Sequence, residues 1–286
     1  MSIRSLSTST LTSQTRYANM SAGSPIGSGG TESEITIGGV PFRLHTFTSS
    51  GTFTCTKAGT VDYIIVGGGG GGGARQQSGG GAGGGGAGGF LSGSVALTPG
   101  DYSIVIGSGG AGHSGTSGPG AQGQNSSAFS FTAIGGGFGS ESENAGAGGS
   151  GGGAGSTTAA GYEGGLGTPG QGYAGGWAGS TNQAGSGGGA STVGLDIDPH
   201  RGMPGGPVDI STFLGQARNT TWIAGGGGGS DIGGNSLTDG GRSGGIAPGG
   251  DAVASTGGGG AGRWAASESG GGGDGADGVV YVRYAL

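Results

Sequence analysis

Three stretches of this chain have residue types and spacings that could support chemistry. Gly107-Ser-Gly-Gly-Ala-Gly112 matches the glycine pattern of a dinucleotide fingerprint and follows a run that reads as a strand. That fingerprint needs a helix opening at its third glycine, where the amides meet the pyrophosphate. The following His113-Ser-Gly-Thr-Ser-Gly118 has no helical pattern. Gly148–Gly152 and Gly241–Gly245 each spell Gly-x-Ser-x-Gly, yet neither sits between a strand and a helix, as a nucleophile elbow requires. With 87 glycines in 286 residues, chance matches of this kind are expected. Asp196, Asp198 and His200 lie close enough in sequence to hold a cation, but a solvated loop beside Pro199 is much the better account of them. Gly272–Val279 matches one calcium-binding nonapeptide, a motif that works in stacked repeats; a single copy reads better as a turn into the last strand. No catalytic residue, metal site or cofactor is therefore expected.

Recognition chemistry has better candidates. Residues 156–183 carry Tyr162, Tyr173 and Trp177 among glycines. Residues 193–224 carry His200, Arg201, Phe213, Arg218 and Trp222, and residues 261–269 carry Arg263 and Trp264. Aromatic rings with arginine are the usual anchors of interfaces, and exposed Tyr and Trp suit stacking on sugars. The receptor-binding candidates are Tyr162, Tyr173, Trp177, Trp264, His200 and Arg201, while Trp222, beside Ile223 and a glycine run, reads as a plug at the end of the folded body.

Such side chains need a scaffold, and the composition leaves little material for an ordinary one. Hydrophobic residues are 30 % and charged residues 9 % of the chain, too few for a conventional core of this size. The net charge of −6 has no basic cluster, which argues against nucleic acid as a partner. One cysteine, Cys55, rules out an intrachain disulfide framework, and neither an apolar stretch of membrane-spanning length nor a signal sequence is evident. Synthesis in the cytoplasm is the expectation.

Order is nonetheless expected. Val61–Val66, Asp101–Ile106, Phe129–Ala133 and Val279–Tyr284 read as strands, and Thr98-Pro-Gly-Asp101 has the residues of a tight turn. Collagen is excluded by the lack of a triplet repeat and by only nine prolines. Unbroken runs such as Gly67–Gly73 permit threefold polyglycine rods whose N–H and C=O groups bond to neighbours all round. At about 3.1 Å per residue such a run spans about 22 Å. The expected fold is all-β with essentially no α-helix: a polyglycine II helix bundle packed against a β-sandwich.

A series of motifs carries a resemblance. It begins with Phe47-Thr-Ser-Ser-Gly-Thr-Phe-Thr54, Tyr63-Ile-Ile-Val-Gly-Gly-Gly-Gly70 and Gly83–Leu91. It continues through Leu97–Gly107 and Thr132–Gly137 and ends at Gly273–Tyr284. The series resembles the glycine-rich domain of bacteriophage tail fibres and other virion surface proteins, over about residues 35–286. The resemblance implies a sandwich with its first and last strong strands close together and polyglycine helices beside it. It also implies a non-enzymatic virion protein, made in the host cytoplasm, that serves as a tail-fibre or fibre-tip component displaying loops for host recognition. A head decoration or connector protein is the alternative. Residues 1–34, rich in Ser and Thr, read as a separate arm: either a loose terminus or a segment docking on other virion proteins through Arg4, Arg16 and Tyr17. Docking is the expectation. The partners implied are other virion proteins and a bacterial surface polysaccharide or outer-membrane protein, with a homo-oligomer possible.

Overall fold

A computed structural model describes residues 26–76, 80–156, 161–179, 183–195, 203–230, 244–245, 249–264 and 271–286. In chain order the strands are β1 (Ile26–Ser28), β2 (Thr31–Ile37), β3 (Val40–Phe47), β4 (Gly51–Lys57), β5 (Gly59–Val66), β6 (Ala74–Arg75) and β7 (Phe90–Leu97). They continue with β8 (Gly100–Ile104), β9 (Ser126–Ala128), β10 (Phe131–Ala133), β11 (Val208–Asp209), β12 (Trp222–Ile223), β13 (Arg263–Trp264) and β14 (Val279–Ala285). No helix occurs among the described residues, so the all-β expectation holds. Strand pairing starts at Ile26, and residues 26–34, grouped with the arm by composition, contribute β1 and part of β2. Arg4, Arg16 and Tyr17 lie outside the described residues.

An antiparallel sheet in the order β2-β3-β14-β5-β7 faces a smaller one in the order β1-β4-β8. β5 and β14, the first and last strong strands of the sequence, are neighbours. Strand alternation sends Val61, Tyr63 and Ile65 into the space between the sheets, where they meet Phe47, Phe53, Leu97, Ile104, Val280 and Val282. Ile64, Val66 and Val279 point the other way and are covered by Ile210, Leu214 and Ile223. Burial on both faces explains why Val61–Val66 reads as a nearly continuous apolar run. Asp62, the exception, is held by the Ser94 hydroxyl at 2.6 Å and Arg283 at 3.3 Å.

One local expectation is corrected. Phe129–Ala133 is no single strand: Phe129 and Ser130 have φ of 53° and 69° and form the turn between β9 and β10. The Phe-Ser-Phe alternation came from a hairpin whose Phe129 ring turns into the core. Trp222 lies in the β11–β12 hairpin, next to Ile223, which covers the outer face of the large sheet. The Thr98–Asp101 turn does form, and it carries the chain from the large sheet to the small one. The Tyr102 hydroxyl donates to the Thr98 carbonyl at 2.9 Å and fastens this corner.

The glycine runs leave the sandwich from β5 and return to it at β7 and β14. Their hydrogen bonds repeat every three residues. Gly67, Gly70 and Gly73 donate to Gly89, Gly86 and Gly83; Gly68 and Gly71 donate to Gln124 and Ala121; Gly69 and Gly72 donate to Ala276 and Gly273. The carbonyls of Gly68 and Gly71 accept from Gly136 and Gly139, those of Gly69 and Gly72 from Gly110 and His113, and those of Gly70 and Gly73 from Gly260 and Arg263. One run is thus bonded on all sides by six neighbouring segments. Residues 81–89 are surrounded in the same way, by segments around 70, 137, 153, 187, 228 and 260.

Buried serines complete the bonding where a carbonyl is out of reach. The hydroxyls of Ser126, Ser140, Ser156, Ser186 and Ser230, all fully buried, accept from the amides of Gly107, Gly155, Gly81, Gly229 and Ala82. Ser126→Ala strands the Gly107 amide, 2.9 Å from the lost oxygen, and is expected to cost about 1–3 kcal/mol in denaturant unfolding. Exposed Ser142→Ala should stay within about 0.5 kcal/mol. Equal stabilities would show that water replaces the hydroxyl.

His45 is the fully buried titratable side chain of the sandwich. Its Nδ1 lies 2.9 Å from the Gly29 carbonyl, its Nε2 3.4 Å from the Tyr284 hydroxyl, and its ring meets Phe53 edge-on. Burial lowers its pKa below 6.5, against smaller upward pulls from the Gly29 carbonyl and Glu32. A lowered folded pKa means that the unfolded chain binds the proton first. The stabilisation is therefore complete above pH 6.5 and is lost as pH falls from there through the folded pKa. Thermal melts between pH 7.5 and 5 should show this loss, and His45→Gln should flatten the profile. An unchanged slope in that variant would place the titration elsewhere.

Candidate recognition edge

The hydrogen-bond levels of the glycine segments define two ends of the body. Gly67, Gly89, Ile134 and Gly257 adjoin the sandwich; Gly73, Gly83, Ser140, Arg263 and Gly272 lie at the opposite end. Within the sandwich, Ile26 pairs with Lys57, and Leu286 donates to the Pro41 carbonyl. Both contacts are at the sheet end away from the glycine segments, because β5 and β14 meet those segments at Val66 and Val279.

The structure brings Tyr162, Tyr173 and Trp177 onto two adjacent segments. The Ala178 amide donates to Tyr162 and the Gly175 amide to Gly165, each at 3.0 Å, so the two run antiparallel. Tyr173 and Gly176 donate instead to Gly189 and Ser186. Positions 174 and 177 belong to the third direction of this threefold repeat. Trp177 is 54 % exposed and Tyr173 47 %, whereas Tyr162 is half-buried.

Tyr173 forms part of a surface cavity of 520 Å³ with Phe90, Leu166, Pro169, Ala174 and Val193. Gln171 braces its floor: its side-chain oxygen accepts from Ile134 at 2.8 Å, its side-chain nitrogen donates to Thr132 at 3.1 Å, and its carbonyl accepts from Phe90. Gly170, with φ of 78°, makes the turn in which the Thr168 carbonyl accepts from Gln171 and Gly172. No side chain could take that backbone conformation as easily. Leu166 (72 % exposed), Val193, Leu195 and Met203 extend the apolar edge. Sequence reasoning centred on rings and arginines passed over these aliphatic residues, although Leu166 lies inside the aromatic stretch it singled out.

Trp264 pairs with Arg75 through β13 and β6 at the end opposite the sandwich. His200, Arg201, Asp196 and Asp198 fall outside the described residues. Ser150 of the first Gly-x-Ser-x-Gly motif is fully buried inside a glycine segment, and no described residue hydrogen-bonds its hydroxyl. Gly107–Gly112 is likewise a bonded segment: Gly110 donates to Gly69 and opens no helix.

The calcium-like Gly272–Val279 stretch is not a turn. Asp277 and Asp274 accept from the Gly109 and Gly112 amides at 2.8 and 2.7 Å, one threefold repeat apart on both segments. The Asp-x-x-Asp spacing is the period of the segment itself. No group of metal-ligating side chains occurs among the described residues.

The family model for a glycine-rich domain matches residues 48–285. No curated protein matches the chain.

Proposed function

The chain belongs to the glycine-rich domain family, and from that premise we propose that it is a non-enzymatic bacteriophage virion protein, a tail-fibre or fibre-tip component that presents its apolar edge to the host cell surface. The observation that carries this reading is the exposed Tyr173–Trp177 edge, held on backbone that is itself hydrogen-bonded into the body. Recognition residues on a rigid scaffold lose little entropy on binding. The threefold hydrogen-bond repeat supports reading the segments as polyglycine II helices, and the motif series of residues 47–284 supports the virion assignment. The placement of Ile26 and Leu286 at the sandwich end away from the glycine body fits attachment to other virion proteins on that side.

The test is attachment of the purified full chain to a panel of bacterial cells, against the Tyr173→Ala/Trp177→Ala double variant. Both side chains are well exposed, so the variant should melt within a few degrees of the parent. Attachment weakened about tenfold or more is expected, the effect of losing an aromatic anchor. Absence of attachment by either protein, with the fold intact, favours the head decoration or connector role.

A further inference from the structure

We propose that the cavity beside Tyr173 binds an uncharged saccharide, an inference that rests on the cell-surface reading above and names its ligand class. Three observations lead there. The first is charge: among the described residues no acidic, basic or histidine side chain lines the cavity, so an anionic or cationic ligand would lose its hydration without a counter-charge from them.

The second is the kind of polar group available. The N–H and C=O of Gly167 and Gly170, the N–H of Ala174 and the Tyr173 hydroxyl have no hydrogen-bond partner among the described residues. Gly167, Gly170, Tyr173 and Ala174 all line the cavity. These are neutral donors and acceptors in one small space. A sugar hydroxyl both donates and accepts, and so matches such a mixed set. The braced Gln171 and the Gly170 turn fix these groups before any ligand arrives.

The third is shape. The Tyr173 ring and the Leu166 and Val193 side chains form apolar walls, against which the C–H faces of a sugar ring can pack. A volume of 520 Å³ lies within the range of small-ligand sites. Trp177 follows Ala174 by one threefold repeat, about 9 Å along the segment, and leaves it on the same side. It offers a second platform to a ligand of several sugar units. An added polypeptide rod is the other conceivable occupant. Rods in this body approach one another over bare glycine backbone, whereas Leu166, Tyr173 and Val193 obstruct that approach.

The experiment is calorimetric titration of the full chain with neutral hexasaccharides of glucose, mannose and N-acetylglucosamine, and with an oligogalacturonate as the acidic comparison. At least one neutral hexasaccharide should bind, and the acidic one should bind at least about tenfold more weakly. Tyr173→Ala should weaken binding about tenfold. Trp177→Ala should weaken binding of that hexasaccharide and leave binding of a disaccharide of the same sugar, titrated alongside, unchanged. The inference is overturned if no neutral saccharide binds, if the acidic one binds equally well, or if Tyr173→Ala has no effect. It is also overturned if a peptide of the residue 80–89 sequence occupies the cavity instead. Cell attachment that depends on Tyr173 but resists competition by the neutral saccharides removes this inference and leaves the adhesive role. Saccharide binding without cell attachment does the reverse.

Discussion

Gly70→Val is expected to cost about 3–5 kcal/mol, lowering the melting temperature by about 10 °C or abolishing folding. Gly70 donates to Gly86 at 2.8 Å and accepts from Gly260 at 2.9 Å, within a run bonded on all sides. A Cβ at this position would lie 2.1 Å from the Gly137 carbonyl oxygen and 2.6 Å from its carbon. Those atoms are backbone, and Gly137 itself donates to Ser150 and accepts from Gly86. Relief therefore requires a whole segment to shift, stretching bonds that it shares with several others. Gly179→Ala is the matched comparison: a Cβ there meets nothing within 4 Å, and its stability should change by no more than about 0.5 kcal/mol. Equal melting of the Gly70 and Gly179 variants would mean that the rods do not pack as described.

Phe53→Ala is expected to cost about 3–5 kcal/mol by a different route. Phe53 lies fully buried in β4, the central strand of the small sheet. Its ring meets His45 and Phe129 edge-on, with centroids 5.1 and 6.0 Å away, and fills the space left by Gly27, where a Cβ would come within 2.3 Å of it. Removing the ring opens a cavity bounded by two sheets that are pinned by hydrogen-bond ladders, so the site cannot collapse to fill it. Denaturant unfolding should show a lower midpoint with an unchanged slope. Phe53→Leu should recover more than half of the loss. A cost below about 1 kcal/mol would show that the small sheet moves freely on the large one.

The sandwich was legible where side chains carry its pattern. Val61–Val66 and Val279–Tyr284 could be read as strands because β-branched and aromatic residues on both faces leave few alternatives, and they became β5 and β14. Phe129–Ala133 misled because alternation cannot distinguish a strand from a hairpin when the turn residues are themselves Phe and Ser in left-handed backbone. The glycine body was legible as a class but not in its arrangement. Gly69 bonds to Ala276 and Gly72 to Gly273, partners some two hundred residues away, and a glycine has no side chain with which to specify a partner. The Asp274 and Asp277 pair did carry the threefold period, but that spacing looked like metal chemistry without a neighbouring segment to receive it. Of the recognition edge, Tyr173 and Trp177 were visible as rings in a loop. The cavity was not, because Phe90, Leu166 and Val193 meet only after three separate segments have packed.

Residues 273–285 serve both halves of the molecule. β14 lies between β3 and β5, and Gly273 and Ala276 receive the amides of Gly72 and Gly69. During synthesis the first glycine run would leave the ribosome some two hundred residues before these acceptors exist. Until translation has passed residue 285, the large sheet lacks its central strand and the Gly69 and Gly72 amides lack their acceptors. Non-local closure of this kind is slow, and until it is complete the amides of the early glycines and the flanks of β3 and β5 stay open to other chains. Yield of folded protein should therefore depend on how well the emerging chain is kept apart from its own copies.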